Sequence, residues 1–276
     1  MLPELDFDQQ VALCVSLGVK YYQYRPRIVP PDQAGKPFSY WGNHRFDLTP
    51  QRMLAEGAAL TRKLTAAGLS PWGTLPEATI ENVDDVLKLH LEGAAAAGAG
   101  RVRLGPPPIP DKPFDYRTLL EIMVRRYRWI IEKLARPLGI RLIVETHAQS
   151  FAASPGLAWN LVQSLPPADI GVIFDVANFA REGAVNPRLA VSVLRDYIDC
   201  IHIGASKRVT LGTDERGLRK IAFQFCSFEE GDLPVRDWLD ALGEAGVTAP
   251  VIIEDYSTDL DSPGRLRRAV QTLKAL

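Results

Sequence analysis

The chain has 276 residues, with 32 basic and 33 acidic side chains and a net charge of −1. That balance offers no basic stripe to a nucleic-acid backbone, and the apolar runs are of strand length, too short to cross a membrane. Three cysteines (Cys14, Cys200 and Cys226) without CxxC spacing argue against a disulfide framework and a thiolate zinc site. The acidic N-terminal stretch Met1–Gln10 lacks an apolar signal core, so a cytoplasmic chain is expected.

Phe7–Leu17 reads as a first helix, with Asp6 or Asp8 placed to cap it. A strand follows at Lys20–Arg25, then a helix at Pro50–Ala67, whose Pro50 sits where a missing N–H costs little. Strand Ser70–Leu75, helix Val83–Ala97, strand Arg101–Leu104 and helix Tyr116–Leu138 continue the alternation. It runs on through strand Arg141–Thr146, helix Gly156–Ser164, strand Gly171–Val176 and helix Pro187–Tyr197. Strand Cys200–Ile203, helix Val235–Ala245, strand Val251–Glu254 and helix Pro263–Leu273 complete it. Gly68, Gly139 and Gly246 follow helices, where a glycine cap is favoured. The alternation predicts an α/β fold with a parallel sheet under covering helices, and the absence of linkers predicts one domain over 1–276. A (β/α)8 barrel fits, but the strands number seven and the chain opens on a helix. Met1–Leu5 is too short and too charged to be the remaining strand, so the first strand reads as missing or truncated. An open doubly wound sheet is disfavoured because neither GxGxxG nor GxxxxGK[ST] occurs.

Four predicted strands end in a residue able to bind a metal: Glu145 in RLIVETH, Asp175 in GVIFDVAN, His202 in DCIHIG and Glu254 in PVIIEDY. The steps between the first three, 30 and 27 positions, match one βα repeat, and Glu254 lies 52 further on. Side chains alternate along a strand, so Ile143 and Glu145 share a face, as do Ile173 and Asp175, Cys200 and His202, Ile252 and Glu254. One such carboxylate is as well read as a helix cap. Three carboxylates converging with a histidine on one apolar interior would repel one another unless a cation lay among them. One histidine with three carboxylates suits one divalent ion, Mn2+ first, with Mg2+, Co2+ or Zn2+ as alternatives.

Secondary candidates for substrate contact are His147, two past Glu145; Asn178, three past Asp175; Lys207 and Arg208, in the segment after His202; and Arg103 and Tyr24 at earlier strand ends. Arg25 also lies at an early strand end, and Trp41, His44 and Trp72 lie on or near early βα loops, where an aromatic wall for a sugar ring would belong. His90 falls in a helical pattern and reads as structural.

The segments ETH (145–147), FDVAN (174–178), IHIGASKR (201–208), EEGDLP (229–234) and IIEDY (252–256) resemble the xylose-isomerase-like TIM-barrel superfamily, the sugar phosphate isomerase/epimerase group. The resemblance runs from about Phe7 to the C-terminus. It implies an eight-stranded barrel, carries the metal-ligand roles onto Glu145, Asp175, His202 and Glu254, and implies a small carbohydrate substrate. Ketose 3-epimerases of the group resemble D-x-x-H where this chain has Asp175-Val-Ala-Asn178, and carry a glutamate where Phe151 stands; Arg208, six past His202, does match. The related abasic-site endonucleases use a three-zinc cluster rich in histidine, whereas this chain has four histidines, so a DNA substrate is not expected.

The expected chemistry is metal-assisted proton transfer beside a carbonyl, through an enediolate, with Glu145 and Glu254 as ligands and as acid and base. Reprotonation gives an epimer or an isomer, and loss of a β-hydroxyl makes a dehydratase. A different class stays open: a non-catalytic, sugar-binding accessory subunit, since an open barrel edge invites a partner and admits a homo-oligomer.

Overall fold

The computed structural model describes residues 2–183 and 185–276. In chain order the strands are β1 (Tyr21–Tyr24), β2 (Ser70–Thr74), β3 (Arg101–Arg103), β4 (Arg141–Glu145), β5 (Ile170–Asp175), β6 (Ile198–Ile203), β7 (Ser206–Thr213), β8 (Arg219–Phe225) and β9 (Val251–Ile253). The helices are α1 (Phe7–Leu17), α2 (Pro50–Ala66), α3 (Asp84–Ala96), α4 (Tyr116–Ile130), α5 (Pro155–Val162), α6 (Val176–Glu182), α7 (Pro187–Leu194), α8 (Val235–Glu244) and α9 (Ser262–Ala275). Strands β1 to β6 and β9 lie side by side in that order, every pair parallel. The fold is a nearly closed barrel of seven parallel strands under a layer of helices, one strand short of the (β/α)8 plan.

Local chemistry sets the helix starts. Asp6 and Gln9 form a reciprocal capping box on α1, and Thr49, Ser154, Asn186 and Asp261 cap α2, α5, α7 and α9 with a proline in the first turn of each. Gly68, Gly139 and Gly246 all adopt the left-handed conformation expected of glycines that close helices.

Strand alternation then sorts the interior from the helix layer. Val102, Leu142, Val144, Val172, Phe174 and Ile201 face outward and pack with Leu87, Leu91, Tyr127, Leu161, Leu194 and Trp238 of the helices. Facing inward, Trp72, Leu75, Ile143, Ile173, Cys200 and Ile252 fill the barrel as a separate apolar layer. Below that layer Arg101 and Arg141 hold the buried Asp199. A register shift between Val172 and Ile173, opposite Ile198 and Cys200, leaves Asp199 outside the pairing. Gly171 makes the room: a Cβ there would sit 3.0 Å from the Arg141 guanidinium carbon and 3.0 Å from the Asp199 Cβ. Above the apolar layer come the four predicted ligands.

The seam lies between β1 and β9. Leu2 and Leu13 pack there on Leu266 and Val270 of α9, and a cavity of about 360 Å3 runs along it past Val19, Tyr22 and Ile253. Two elements differ from the sequence reading. The segment after His202, where the sequence pattern marks no strand, is a two-stranded antiparallel ribbon of β7 and β8, outside the barrel sheet. Asp175 is followed at once by α6, which the apolar run of its strand concealed. Cys14, Cys200 and Cys226 are buried free thiols, and no helix among the described residues is long and apolar enough to cross a membrane.

Candidate metal centre

Each ligand candidate reaches the mouth from a different strand. Glu145 ends β4, Asp175 ends β5, His202 is the fifth residue of β6, and Glu254 follows β9. One donor atom of each lies within 4.8 Å of all the others. The main chain of Glu254 is pinned to β6 by its N–H, which donates to the Ile203 carbonyl at 2.8 Å. Gly204 permits that approach, because a Cβ there would lie 2.4 Å from the Glu254 carbonyl oxygen. Gly204→Ala is therefore expected to displace Glu254 and weaken divalent-cation binding by roughly tenfold or more. Calorimetric titration of the variant checks this, and an unchanged Kd would show that the strand ends yield elsewhere.

The cluster is asymmetric. Arg103 donates to Glu145 Oε2 and, through Nη2, to the Pro76 carbonyl at 3.0 Å. Burial alone would push the Glu145 carboxyl up, but the Arg103 guanidinium and His202 outweigh it and hold it well below the usual carboxylate range. Asp175 goes the other way: burial first, then the negative charges of Glu254 and Glu145, push it well above its ordinary value. Its Oδ1 accepts from the Asn178 N–H at 3.0 Å, capping α6, and its Oδ2 from the Asn178 amide at 2.5 Å. The cap and the cluster are thus the same carboxylate. Thr146 Oγ1 accepts from the Asp175 N–H at 2.8 Å and fixes the turn.

His202 is 0% exposed. Burial would lower its pKa, but Glu254 and the contact with Glu145 reverse this and raise it well above the ordinary value. Nδ1 lies 3.2 Å from Glu254 Oε1 and 3.5 Å from Glu145 Oε1. Neither approach has hydrogen-bond alignment, so this buried nitrogen has no hydrogen-bond partner among the described residues. A fully buried nitrogen aimed between carboxylates, with a third nearby, fits a small divalent cation. Glu145, Asp175, His202 and Glu254 are the residues that would hold it.

The remaining predicted residues divide. Arg103 joins the cluster through Glu145. His147 is exposed at the mouth, its Nδ1 2.9 Å from the Ala148 carbonyl oxygen. Asn178 is committed on both ends of its amide, giving to Asp175 and accepting from the Ala148 N–H at 3.3 Å. Lys207 and Arg208 begin the ribbon and pair with Glu230 at 2.9 Å and Asp232 at 3.1 Å. Tyr24 is a correction: it is 1% exposed, and its hydroxyl lies 2.9 Å from Thr61 in α2, because alternation along β1 turns it to the helix layer. Trp72 is another correction, being buried inside the barrel rather than on a loop. Trp41 does stand at the surface, 61% exposed, stacked on Tyr256 and with the Arg25 guanidinium over its ring, 4.9 Å from the centroid. His44 turns to the Tyr40 carbonyl at 3.1 Å, and His90 is buried on α3. The residue that sequence reading missed is Gln23, between two tyrosines on β1, whose amide nitrogen is 3.1 Å from His202 Nε2. Alternation was the signal: Tyr22 and Tyr24 face outward, so Gln23 faces in.

Among solved structures, the IolI protein with a binding zinc atom is 16% identical with a TM-score of 0.71, over 99% of this chain and 92% of that one. The probable 3-DHS dehydratase AsbF from Bacillus anthracis is 14% identical with a TM-score of 0.70, over 98% and 94%. D-psicose 3-epimerase, determined in the presence of D-fructose, is 13% identical with a TM-score of 0.65, over 96% and 84%. At these identities the likeness is one of fold. A comparison with curated sequences finds no match. The sequence itself matches the family described as xylose isomerase-like TIM barrel over residues 7–276, and the chain belongs to that family.

Proposed function

We propose that this chain is a divalent-metal-dependent isomerase or epimerase of a keto sugar or keto-polyol, moving a proton beside a carbonyl. The observation that carries the reading is the convergence, within 4.8 Å, of three carboxylates and a buried imidazole nitrogen that has no hydrogen-bond partner among the described residues. The D-psicose 3-epimerase among its structural neighbours supports it. Mn2+ is the first expectation, with Mg2+, Co2+ or Zn2+ as alternatives. A divalent cation held by Glu145, Asp175, His202 and Glu254 supplies Lewis-acid polarisation of a substrate carbonyl.

The protein's own groups divide the remaining work. Glu254, 19% exposed and without an arginine in ion-pair contact among the described residues, takes the proton from the carbon next to the carbonyl. Glu145, held as an anion by Arg103, accepts a hydrogen bond from the neighbouring substrate hydroxyl. Return of the proton from Glu254 to the adjacent carbon gives an isomer; for an epimer, Glu145 takes the proton of that hydroxyl and delivers it to the other face of the carbon, while Glu254 returns its own to the oxygen. His147, Lys207 and Arg208 are left to meet the distal end of the substrate at the mouth. The ketose 3-epimerase pattern is broken in structural terms too. Phe151 is buried against Phe114 and Tyr116, and Asn178 is spent on Asp175, so neither offers a polar group to a ketose.

The test is deuterium wash-in. Wild-type protein with Mn2+ and a panel of open-chain and cyclic keto sugars in D2O is expected to exchange one carbon-bound proton of its substrate, read by NMR. Glu254→Gln should slow exchange by about 10^2–10^4-fold. A deoxy product would instead assign a dehydratase. Metal-loaded protein that exchanges no proton on any panel member would sink the proposal and favour an accessory sugar-binding role.

A further inference from the structure

An imidazole offers one lone pair at a time when neutral. For His202 to give Nδ1 to a cation, Nε2 must carry the proton, and a buried N–H needs an acceptor. Nδ1 points into the ring of carboxylates, so the acceptor has to come from the far side of the barrel. Strand β1 supplies it. Its neighbours Tyr22 and Tyr24 are anchored in the helix layer, the first by donating to Gln10 Oε1 at 2.5 Å and the second by its contact with Thr61. Their packing, edge to face at 5.2 Å, fixes the strand and sends the Gln23 side chain inward. There the Gln23 amide meets His202 Nε2 at 3.1 Å and Cys200 Sγ at 3.6 Å. The two ends of an amide exchange by a half-turn about Cγ–Cδ, so the carbonyl oxygen can occupy the place beside Nε2. The Cys200 Sγ, at 3.6 Å, then faces the same oxygen.

We infer that Gln23 is a positioning residue: its amide oxygen holds the proton on His202 Nε2, so that Nδ1 presents its lone pair to the cation. The inference rests on the metal reading above and adds to it the group that fixes the tautomer. Glu145 and Glu254 both approach His202 on the Nδ1 side, so neither supplies that acceptor. Gln23 stands outside the four-residue cluster and meets it at the His202 imidazole, through which its effect passes.

The experiment uses the full chain loaded with Zn2+, a diamagnetic probe, and reads two quantities. Long-range 1H–15N NMR of the His202 ring reports which nitrogen is protonated; calorimetry reports the Kd. Wild type is expected to show a protonated Nε2 and a zinc-bound Nδ1. Gln23→Met keeps the volume and removes the acceptor, and should weaken zinc by about 10–100-fold. Gln23→Glu can only accept, and should restore affinity to within a few-fold of wild type and keep Nε2 protonated. Circular dichroism of both variants confirms that they fold. Wild type that binds zinc while Gln23→Met binds equally well would overturn the role of Gln23 and leave the metal centre standing. A protonated Nδ1 in the zinc-loaded wild type would overturn it as well. Wild type that binds no divalent ion would bring down the metal reading and this inference together.

Discussion

Saturating Mn2+ or Zn2+ is expected to stabilise the wild-type fold by about 4 kcal/mol at a thousandfold excess over Kd, a rise of roughly 10 °C in Tm. Asp175→Asn should abolish that increment while leaving the metal-free fold intact. Asparagine caps a helix about as well as aspartate, so α6 keeps its start. A neutral amide also needs no proton uptake to lie buried beside Glu145 and Glu254, so the metal-free variant should be as stable as wild type or more so. The two changes have opposite signs, which separates a lost ligand from a damaged fold. Metal uptake should further strengthen as pH rises. In the metal-free protein both Asp175 and His202 have raised pKa values, so both hold protons that a cation must displace. Two protons leave as two charges enter, and the buried site keeps its net charge. Differential scanning fluorimetry across pH with and without Mn2+ reads all of this. A full metal-induced shift in Asp175→Asn would show that the ion, if bound, sits elsewhere.

Most of this centre is written in alternation along strands. Ile143, Ile173, Cys200 and Ile252 do form one interior layer, and the residues two further on, Glu145, Asp175, His202 and Glu254, do meet above it. Period-two patterning is local and short, so it survives into the fold. What escaped was set by distance or by neutrality. Gln23 reaches His202 across 179 positions of sequence, and a neutral amide between tyrosines carries no mark of its partner. The β7–β8 ribbon escaped because its strands stand off the barrel and expose Leu211, Ile221 and Phe223, without the inward–outward pattern of a half-buried sheet. Tyr24 was placed in the site because it ends a strand, although its parity with Tyr22 assigns it to the helix layer.

The largest stability loss should come from the opposite end of the barrel. Asp199, with a side chain 1% exposed, accepts from Arg101 and Arg141, while Arg101 also lies 5.5 Å over the Trp72 ring. Asp199→Ala would leave two guanidinium groups side by side with no counter-charge, at a cost of about 3–5 kcal/mol, toward the low end because both arginines retain some water contact. Chemical denaturation checks it, and a loss under about 1 kcal/mol would show that solvent already neutralises the pair. Replacing Arg101 and Arg141 by methionine as well should recover most of the loss, since an apolar trio of similar volume needs no charge partner. Because the layer of Trp72, Ile143, Ile173 and Cys200 separates Asp199 from the mouth, Asp199→Ala should leave the Kd for Mn2+ unchanged. Asp175→Asn should do the reverse, removing the metal and sparing the fold. A barrel in which those two substitutions dissociate stability from binding is one whose lower ion cluster holds the strands together and whose upper one is kept for a ligand.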